Sequence, residues 1–406
     1  MEPEHFSLEG AIRPNVLALP KFMTSTSDEL QARNKILLDA NENSQGTCLE
    51  HFKDLNNRLA TNSLLSSTDT GAPPLNRYPS ASQAKLKSLI ADSKKEWRIT
   101  EEMICLGTGG ADIIDLIIRV TCRPGQDAIL ITPPTFGLYT FRAALNEAET
   151  IECPLDSSFN LQLDEILKKL DSNPNVKLIF LASPGNPTGT VIQLKDIKAL
   201  LDHPGFKGYV VVDEAYIDYA VVPDLTTALQ LFSEYENLIV IQSFSKGPGL
   251  AGIRLGIAFA HPETTKMLEK VQVPYCIPTT TSLLAQGAVS PYGLQSQRLL
   301  VEEIILNRED LTRLFLGDTL ADLGVGRPLG EGEANFILLP ILNPISGLPD
   351  SSRAELVCQK LQEDHSIAVR YVGMMPHCEG CLRITVGTKD ENSKLVDGLE
   401  KILSEI

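Results

Sequence analysis

No run of apolar residues in this 406-residue chain approaches the roughly 18 that a membrane-spanning helix needs. The opening residues, MEPEHFSLEG, lack both the basic and the apolar stretch of a secretory signal. Excess positive charge is lacking as well: 36 Lys and Arg stand against 52 Asp and Glu, a formal net charge of −16. A nucleic-acid partner, which favours a basic face, is therefore not expected. Eight cysteines are scattered through a long chain, several in apolar strand-like or helical contexts such as MICLG and AELVCQKL. Reduced thiols in a cytoplasmic protein are the plain expectation. Cys378 and Cys381, in HCEGC, have CxxC spacing, but no second pair sits nearby to complete a tetrahedral site. Both are read as structural, and no metal is expected.

What the chain does have is an ordinary globular balance, with 43% hydrophobic and 22% charged residues and a mean hydropathy of −0.01. Its length exceeds a single small core, so two lobes are expected. Residues 1–47 carry no clear repeating pattern and read as an arm, laid on the smaller domain or on a partner subunit. The segment 61–80, TNSLLSSTDTGAPPLNRYPS, is rich in Ser, Thr, Gly and Pro and reads as a loop between two helical stretches.

From about residue 103 a βαβ rhythm sets in. MICLG, AILIT, VKLIFLAS, YVVVDEAY and LIVIQSF read as strands, with helical segments such as ADIIDLIIRVTC and QLKDIKALL between several of them. Short apolar, β-branched runs of this kind suit a parallel sheet buried on both faces. From about 290 the pattern changes. A long amphipathic helix, QSQRLLVEEIILNREDLTRLFLGDTL, leads into strand-like ANFILLPI, helical SRAELVCQKLQED, strand-like IAVRYV and CLRITVG, and a last helix. The expected class is α/β, with a mostly parallel sheet in a large domain over 48–290 and a smaller α+β domain over 291–406.

In open α/β sheets, ligands sit beyond the carboxyl ends of the strands. Gly107-Thr108-Gly109-Gly110-Ala111 follows the first strand and opens a helix, where bare amides and small residues suit an anion. The pattern is not GxGxxG, which argues against a nicotinamide cofactor. SPGNPTG, with Asn186, follows the third strand; Asp213, Glu214 and Tyr216 follow the fourth; Ser243, Ser245 and Lys246 follow the fifth, with Arg254 further on. Each has a bland reading: a glycine turn, a structural ion pair, a proline turn, a solvated lysine. Together they supply an anion cup, a carboxylate, a phenol, an amide and an amine. Pyridoxal 5′-phosphate uses that whole set, needing a lysine for a Schiff base, a carboxylate at its ring nitrogen, donors to its phenolate oxygen and a phosphate site.

SPGNPTG, VVVDEAYIDY, SFSKGPGLAGIRLG and CLRITVG resemble the fold-type I pyridoxal-phosphate aminotransferases. LLDANEN (37–43), NRYP (76–79), CRPGQDAILITPPTFGLY (122–139) and EANFILL (333–339) bring the resemblance closest to the histidinol-phosphate aminotransferases, from about residue 36 to the C-terminus. The resemblance implies that Lys246 holds the cofactor and shuttles a proton, and that Asp213 pairs with the ring nitrogen. Tyr216 and Asn186 would donate to the phenolic oxygen. Gly109, Gly110, Ala111, Ser243, Ser245 and Arg254 would bind the phosphate, with Phe136 stacked on the ring. Tyr78 matches a tyrosine that reaches the phosphate of a neighbouring subunit, which implies a homodimer with shared sites. Arg383 would take the donor's carboxylate, with Arg370, Asn41 and Phe22 on the substrate side.

Departures from the family pattern gather on that substrate side. Phe136 stands where tyrosine is usual, and the arm LPKFMTSTS offers Phe22 where the family typically has Pro-Tyr followed by Ala-Arg. NENSQG replaces the more usual Asn-Glu-Asn-Pro, and the phosphate helix opens without the family's Glu. Two readings follow. One is amino transfer between histidinol phosphate, or a related amine, and a 2-oxo acid such as 2-oxoglutarate, in amino-acid biosynthesis. The other is a divergent enzyme using the same cofactor on another amine or amino acid, by transamination, racemisation, decarboxylation or β-substitution. Fold kinship does not choose between them.

Overall fold

The computed structural model describes residues 11–22, 35–49 and 75–406. Of the loop expected over 61–80, only residues from 75 onward fall within these, and the helical stretch expected before it lies outside them. β1 (Ile36–Leu37) belongs to the smaller of two units, and the next seven strands build the larger. These are β2 (Ile104–Gly107), β3 (Ala128–Ile131), β4 (Glu149–Glu152), β5 (Val176–Ala182), β6 (Tyr209–Asp213), β7 (Leu238–Ser243) and β8 (Gly256–Phe259). Their order across the sheet is β2-β8-β7-β6-β5-β3-β4. The run from β4 to β7 pairs in parallel, whereas β8 is antiparallel to both of its neighbours.

Alternate residues of a strand point to opposite faces, and both faces of this sheet are covered. Leu178, Phe180, Val211, Ile239 and Ile241 join one apolar cluster, while Ile179, Leu181, Val210, Val212 and Val240 join another. That double burial is why these strands read as unbroken apolar runs. The helix Gly110–Thr121 covers one face with Ile113, Ile114, Ile117 and Ile118, the i, i+3, i+4 spacing of a helix stripe, and leaves Arg119 exposed. Two strands carry no such signal in the sequence. β4 is a polar edge strand, ETIE, and β8 is four residues long and opens on glycine.

In the smaller unit β9 (Phe336–Pro340), β11 (Arg370–Tyr371) and β12 (Cys381–Thr385) form an antiparallel sheet in the order β11-β12-β9. Helices Ser351–Asp364 and Lys389–Glu405 pack on it, the second fixed by a capping box of Thr388 and Glu391. The expected strand IAVRYV is split: β10 (Ile367–Ala368) pairs with β1, and β11 pairs with β12. The long helix spans Pro291–Phe315 and breaks at Leu316-Gly317 before a short helix, Asp318–Asp322, so the expected single helix is two. Its Leu300 packs in the larger core, while Val301, Ile304, Leu311 and Phe315 pack in the smaller one. The passage between units is therefore spread along this helix.

Within the N-terminal arm, β1 adds to the smaller unit, and Leu38 accepts from and donates to its backbone at Thr385 and Ala368. Asn15, in the short helix Pro14–Ala18, donates instead to the carbonyls of Ala144 and Leu145 of the larger unit, a contact the sequence did not announce. All eight cysteines are free thiols, and Cys378 and Cys381 are fully buried, which pushes both up to about 12. Among the described residues, no helix is long and apolar enough to cross a membrane, and no cluster of three or more His, Cys, Asp or Glu could hold a metal ion.

Candidate active site

β2, β5, β6 and β7 end at one edge of the large sheet. Because β8 runs the opposite way, Arg254, just ahead of it, is returned to that same edge. A cavity of about 560 Å³ opens there. Every residue expected at the site lines it except Gly109, which adjoins Gly110, and Tyr78.

At one end lies the helix N-terminus at Gly110. Gly109 holds a φ of +86°, in the region that glycine alone adopts freely, and a Cβ there would stand 2.5 Å from Nη2 of Arg254. The missing side chain is what lets the guanidinium lie against the helix opening. Arg254 itself takes a left-handed conformation, with φ +52°, and reaches Ser245 Oγ at 3.5 Å and the carbonyl of Ala251 at 3.1 Å. Ser243 Oγ accepts from the Ser245 amide at 3.1 Å. Asp112 accepts from the Thr108 amide at 2.9 Å, so the carboxylate closes the turn and leaves the amides of Gly110 and Ala111 to the cavity. A helix N-terminus, two hydroxyls and a guanidinium thus line the same cavity, an arrangement that suits an anion.

Asp213 closes β6 and is buried. Its Oδ2 accepts from the Tyr139 hydroxyl at 2.8 Å, and its Oδ1 accepts from the Ala215 amide at 3.1 Å. Burial pushes the carboxyl up, while these two donors and the nearby Lys246 pull it down. Tyr139 was not singled out from the sequence, although it ends the quoted run PPTFGLY.

Lys246 donates from Nζ to the carbonyls of Ala40 at 2.8 Å and Asn41 at 2.9 Å. Burial, then the neighbouring cation Arg383, lowers its amine to about 7. Asn41, itself at φ +51°, is a junction of the two units. Its side chain donates to the Tyr216 hydroxyl at 3.0 Å and accepts from Thr385 Oγ1 at 3.1 Å. Its carbonyl also accepts from Asn335 Nδ2 at 3.1 Å. Asn335 and Thr385 are further residues the sequence reading missed, and both lie inside its quoted motifs EANFILL and CLRITVG.

Arg383 on β12 is buried. Its Nη1 donates to Asn186 Oδ1 at 2.8 Å, its Nη2 donates to the Asp39 carbonyl, and its Nε has no partner among the described residues. Arg370 is its cross-strand partner on β11 and lines the same wall. Phe136 packs edge-on to Tyr139 with centroids 5.8 Å apart. Phe22, the last residue described before 35, meets Phe141 edge-on at 5.2 Å and lines the cavity mouth; the rest of the arm motif, 23–27, lies outside the described residues. Tyr78 is 81% exposed and stacks on Tyr275, with centroids 4.7 Å apart.

Residues 33–399 match the family described as aminotransferase class I and II. The chain is 37% identical to a histidinol-phosphate aminotransferase of Schizosaccharomyces pombe, over 98% of both chains. It is 33% identical to one of Saccharomyces cerevisiae, over 99% of both. Among solved structures, the histidinol-phosphate aminotransferase of Sinorhizobium meliloti in complex with pyridoxal-5′-phosphate superposes with a TM-score of 0.80 at 22% identity, covering 99% of each chain. An L-threonine-O-3-phosphate decarboxylase of Porphyromonas gingivalis superposes with a TM-score of 0.69 at 18% identity, covering 91% of this chain and 99% of that one. One fold thus serves different reactions, and the likeness to solved structures speaks for the fold alone.

Proposed function

The chain belongs to the class I and II aminotransferases, and from that membership we propose that it moves an amino group between histidinol phosphate and 2-oxoglutarate, using pyridoxal 5′-phosphate. The observation that carries the cofactor is the meeting, in one cavity, of a lowered amine (Lys246), a buried carboxylate (Asp213) and an anion cup at Gly110. Fit is supported by two features of the donor set. Gly109, with no Cβ, lets the Arg254 guanidinium lie against the helix opening, and Arg383 keeps one N–H unspent among the described residues.

When bound, pyridoxal phosphate supplies a protonated ring that withdraws electrons from the substrate's α carbon. The chain's own residues do the rest. The Gly110 and Ala111 amides, Ser243, Ser245 and Arg254 would hold the phosphate, and Phe136 would lie beside the ring. Asp213 would hold the ring-nitrogen proton in place. Asn41 already donates to the Tyr216 oxygen, so the Tyr216 proton is left to point at the phenolic oxygen. Asn186 spends its Oδ1 on Arg383, which leaves its amide to donate beside it. Lys246, its amine lowered to about 7, would hold the cofactor and act as the base that moves a proton at the α carbon. Arg383, with Arg370 next to it, takes the donor's carboxylate through its planar fork.

The histidinol-phosphate assignment rests on the full-length relatives above 30% identity. A homodimer with Tyr78 contributed across subunits is part of the same reading, supported by the exposure of Tyr78 away from its own cavity. The test is a half-reaction screen that follows the holoenzyme's absorbance as histidinol phosphate, glutamate and other amines are added singly. Conversion by both histidinol phosphate and glutamate is expected. Silence toward histidinol phosphate with a response to another amine would replace this substrate with that one, and would give meaning to Phe22 and Phe136 where hydroxyls are usual.

A further inference from the structure

We propose that Tyr139 is a positioning residue for the cofactor: its hydroxyl holds the Asp213 carboxylate charged and aimed, so that the carboxylate can grip the ring nitrogen. The inference rests on the reading of the cavity as a pyridoxal-phosphate site.

The local structure leaves Tyr139 little else to do and little freedom. It lies at the start of the helix Leu138–Leu145 and is fully buried. Phe180 of β5 stacks on its ring with centroids 4.8 Å apart and planes at 15°, and Phe136 meets it edge-on. Two aromatic neighbours thus fix the ring, and its hydroxyl donates to Asp213 Oδ2 at 2.8 Å. A buried hydroxyl without a partner is costly, so the bond is strongly favoured.

Asp213 needs that bond. It ends a buried apolar strand and is only 8% exposed at the cavity wall, and burial alone favours its neutral form. Its compensating donors are the Tyr139 hydroxyl, the Ala215 amide on Oδ1 and, at longer range, the Lys246 ammonium from the loop after β7. Tyr216, on the turn after β6, is the other titratable group that bears on it. Lys246 is committed to the cofactor once bound, so its charge is not a dependable counterweight. The Tyr139 hydroxyl is then, among the described residues, the one side-chain donor that stays. A hydrogen bond to a charged group is worth roughly 1.5–3 kcal/mol, or about ten- to a hundredfold in affinity.

The experiment uses apoenzyme stripped of cofactor and measures pyridoxal-phosphate binding by equilibrium dialysis for wild type, Tyr139→Phe, Asp213→Asn and the double variant. Phe keeps the ring in its stack and removes only the hydroxyl. A Tyr139→Phe dissociation constant raised ten- to a hundredfold is expected, with the effect falling below about threefold in the Asp213→Asn background. The acid limb of cofactor binding should also move to higher pH in Tyr139→Phe, because a carboxyl that has lost a donor protonates more readily. Equal losses in both backgrounds, or a constant within twofold of wild type, would overturn the proposal. Wild-type apoenzyme that takes up no pyridoxal phosphate would sink the function proposed above along with it, which separates the two failures.

Discussion

Gly256, the first residue of β8, lies back to back with Gly109: a Cβ built on Gly256 would stand 2.5 Å from the Gly109 carbonyl carbon and 2.6 Å from the Gly110 nitrogen. Those neighbours are backbone, so nothing flexible can yield. The antiparallel strand is thereby pressed directly against the anion cup, and the two glycines set the cup's depth. Gly256→Ala should lose about 1–3 kcal/mol of stability by overpacking and weaken cofactor binding at least tenfold. Gly252→Ala is the control, since among the described residues a Cβ there meets nothing within 4 Å and its φ is unstrained. Thermal denaturation and cofactor dialysis on both variants check this, and equal behaviour of the two would refute it.

Lys246 links pH to stability in a direction set by its lowered amine. In the unfolded chain the amine binds its proton up to about 10.5, whereas in the fold it releases it near 7. Between those values the unfolded state holds more protons, so stability contributed by this group rises with pH across that window. The cost of the buried cation is complete below pH 7 and fades toward 10.5. Lys246→Met should therefore raise the melting temperature of the apoenzyme, more at pH 6 than at pH 9, while abolishing turnover. A gain independent of pH would place the stabilisation elsewhere.

How much of this was legible beforehand depended on range. β5, β6 and β7 announce themselves because apolar residues on both faces leave continuous runs, and Asp213 and Lys246 stand out as charges set where those runs end. β4 and β8 did not, since a polar edge and a glycine-led tetrapeptide carry neither pattern. The cup, the carboxylate and the amine were readable from their local setting. Tyr139 and Asn335 were not, because their roles lie in contacts with partners 74 and 294 residues away. A tyrosine in an apolar helix looks like core until the carboxylate arrives from another strand. Arg254 was readable as a motif, but its return to the site depends on the reversed direction of β8.

Arg383 offers a test of carboxylate recognition that geometry makes specific. Two of its nitrogens are held by Asn186 and the Asp39 carbonyl, and the unspent Nε faces a buried surrounding. Arg383→Lys keeps the charge but replaces a fixed fork by a point charge with rotating donors. The KM for glutamate should rise about ten- to a hundredfold, matching the loss of one charge-assisted hydrogen bond, with a smaller change in cofactor affinity. A half-reaction titration with glutamate gives the answer. An unchanged KM would remove Arg383 from the donor's carboxylate.

Tyr78 allows the shared-site dimer to be decided without a second structure. It is 81% exposed and stacked on Tyr275, outside the cavity of its own chain. If it completes the partner's site, a Tyr78→Ala chain is harmed only through what it fails to give its neighbour. Lys246→Ala is inactive through its own cavity. Mixing the two variants under conditions that exchange subunits would then build one site with a native Lys246 from the first chain and a native Tyr78 from the second. Activity of the mixture should exceed the sum of the separate preparations. Activity equal to that sum, with subunit exchange verified by native mass spectrometry, would mean that Tyr78 does not act across the interface. The exposed stack with Tyr275 would then be a surface feature of each chain alone.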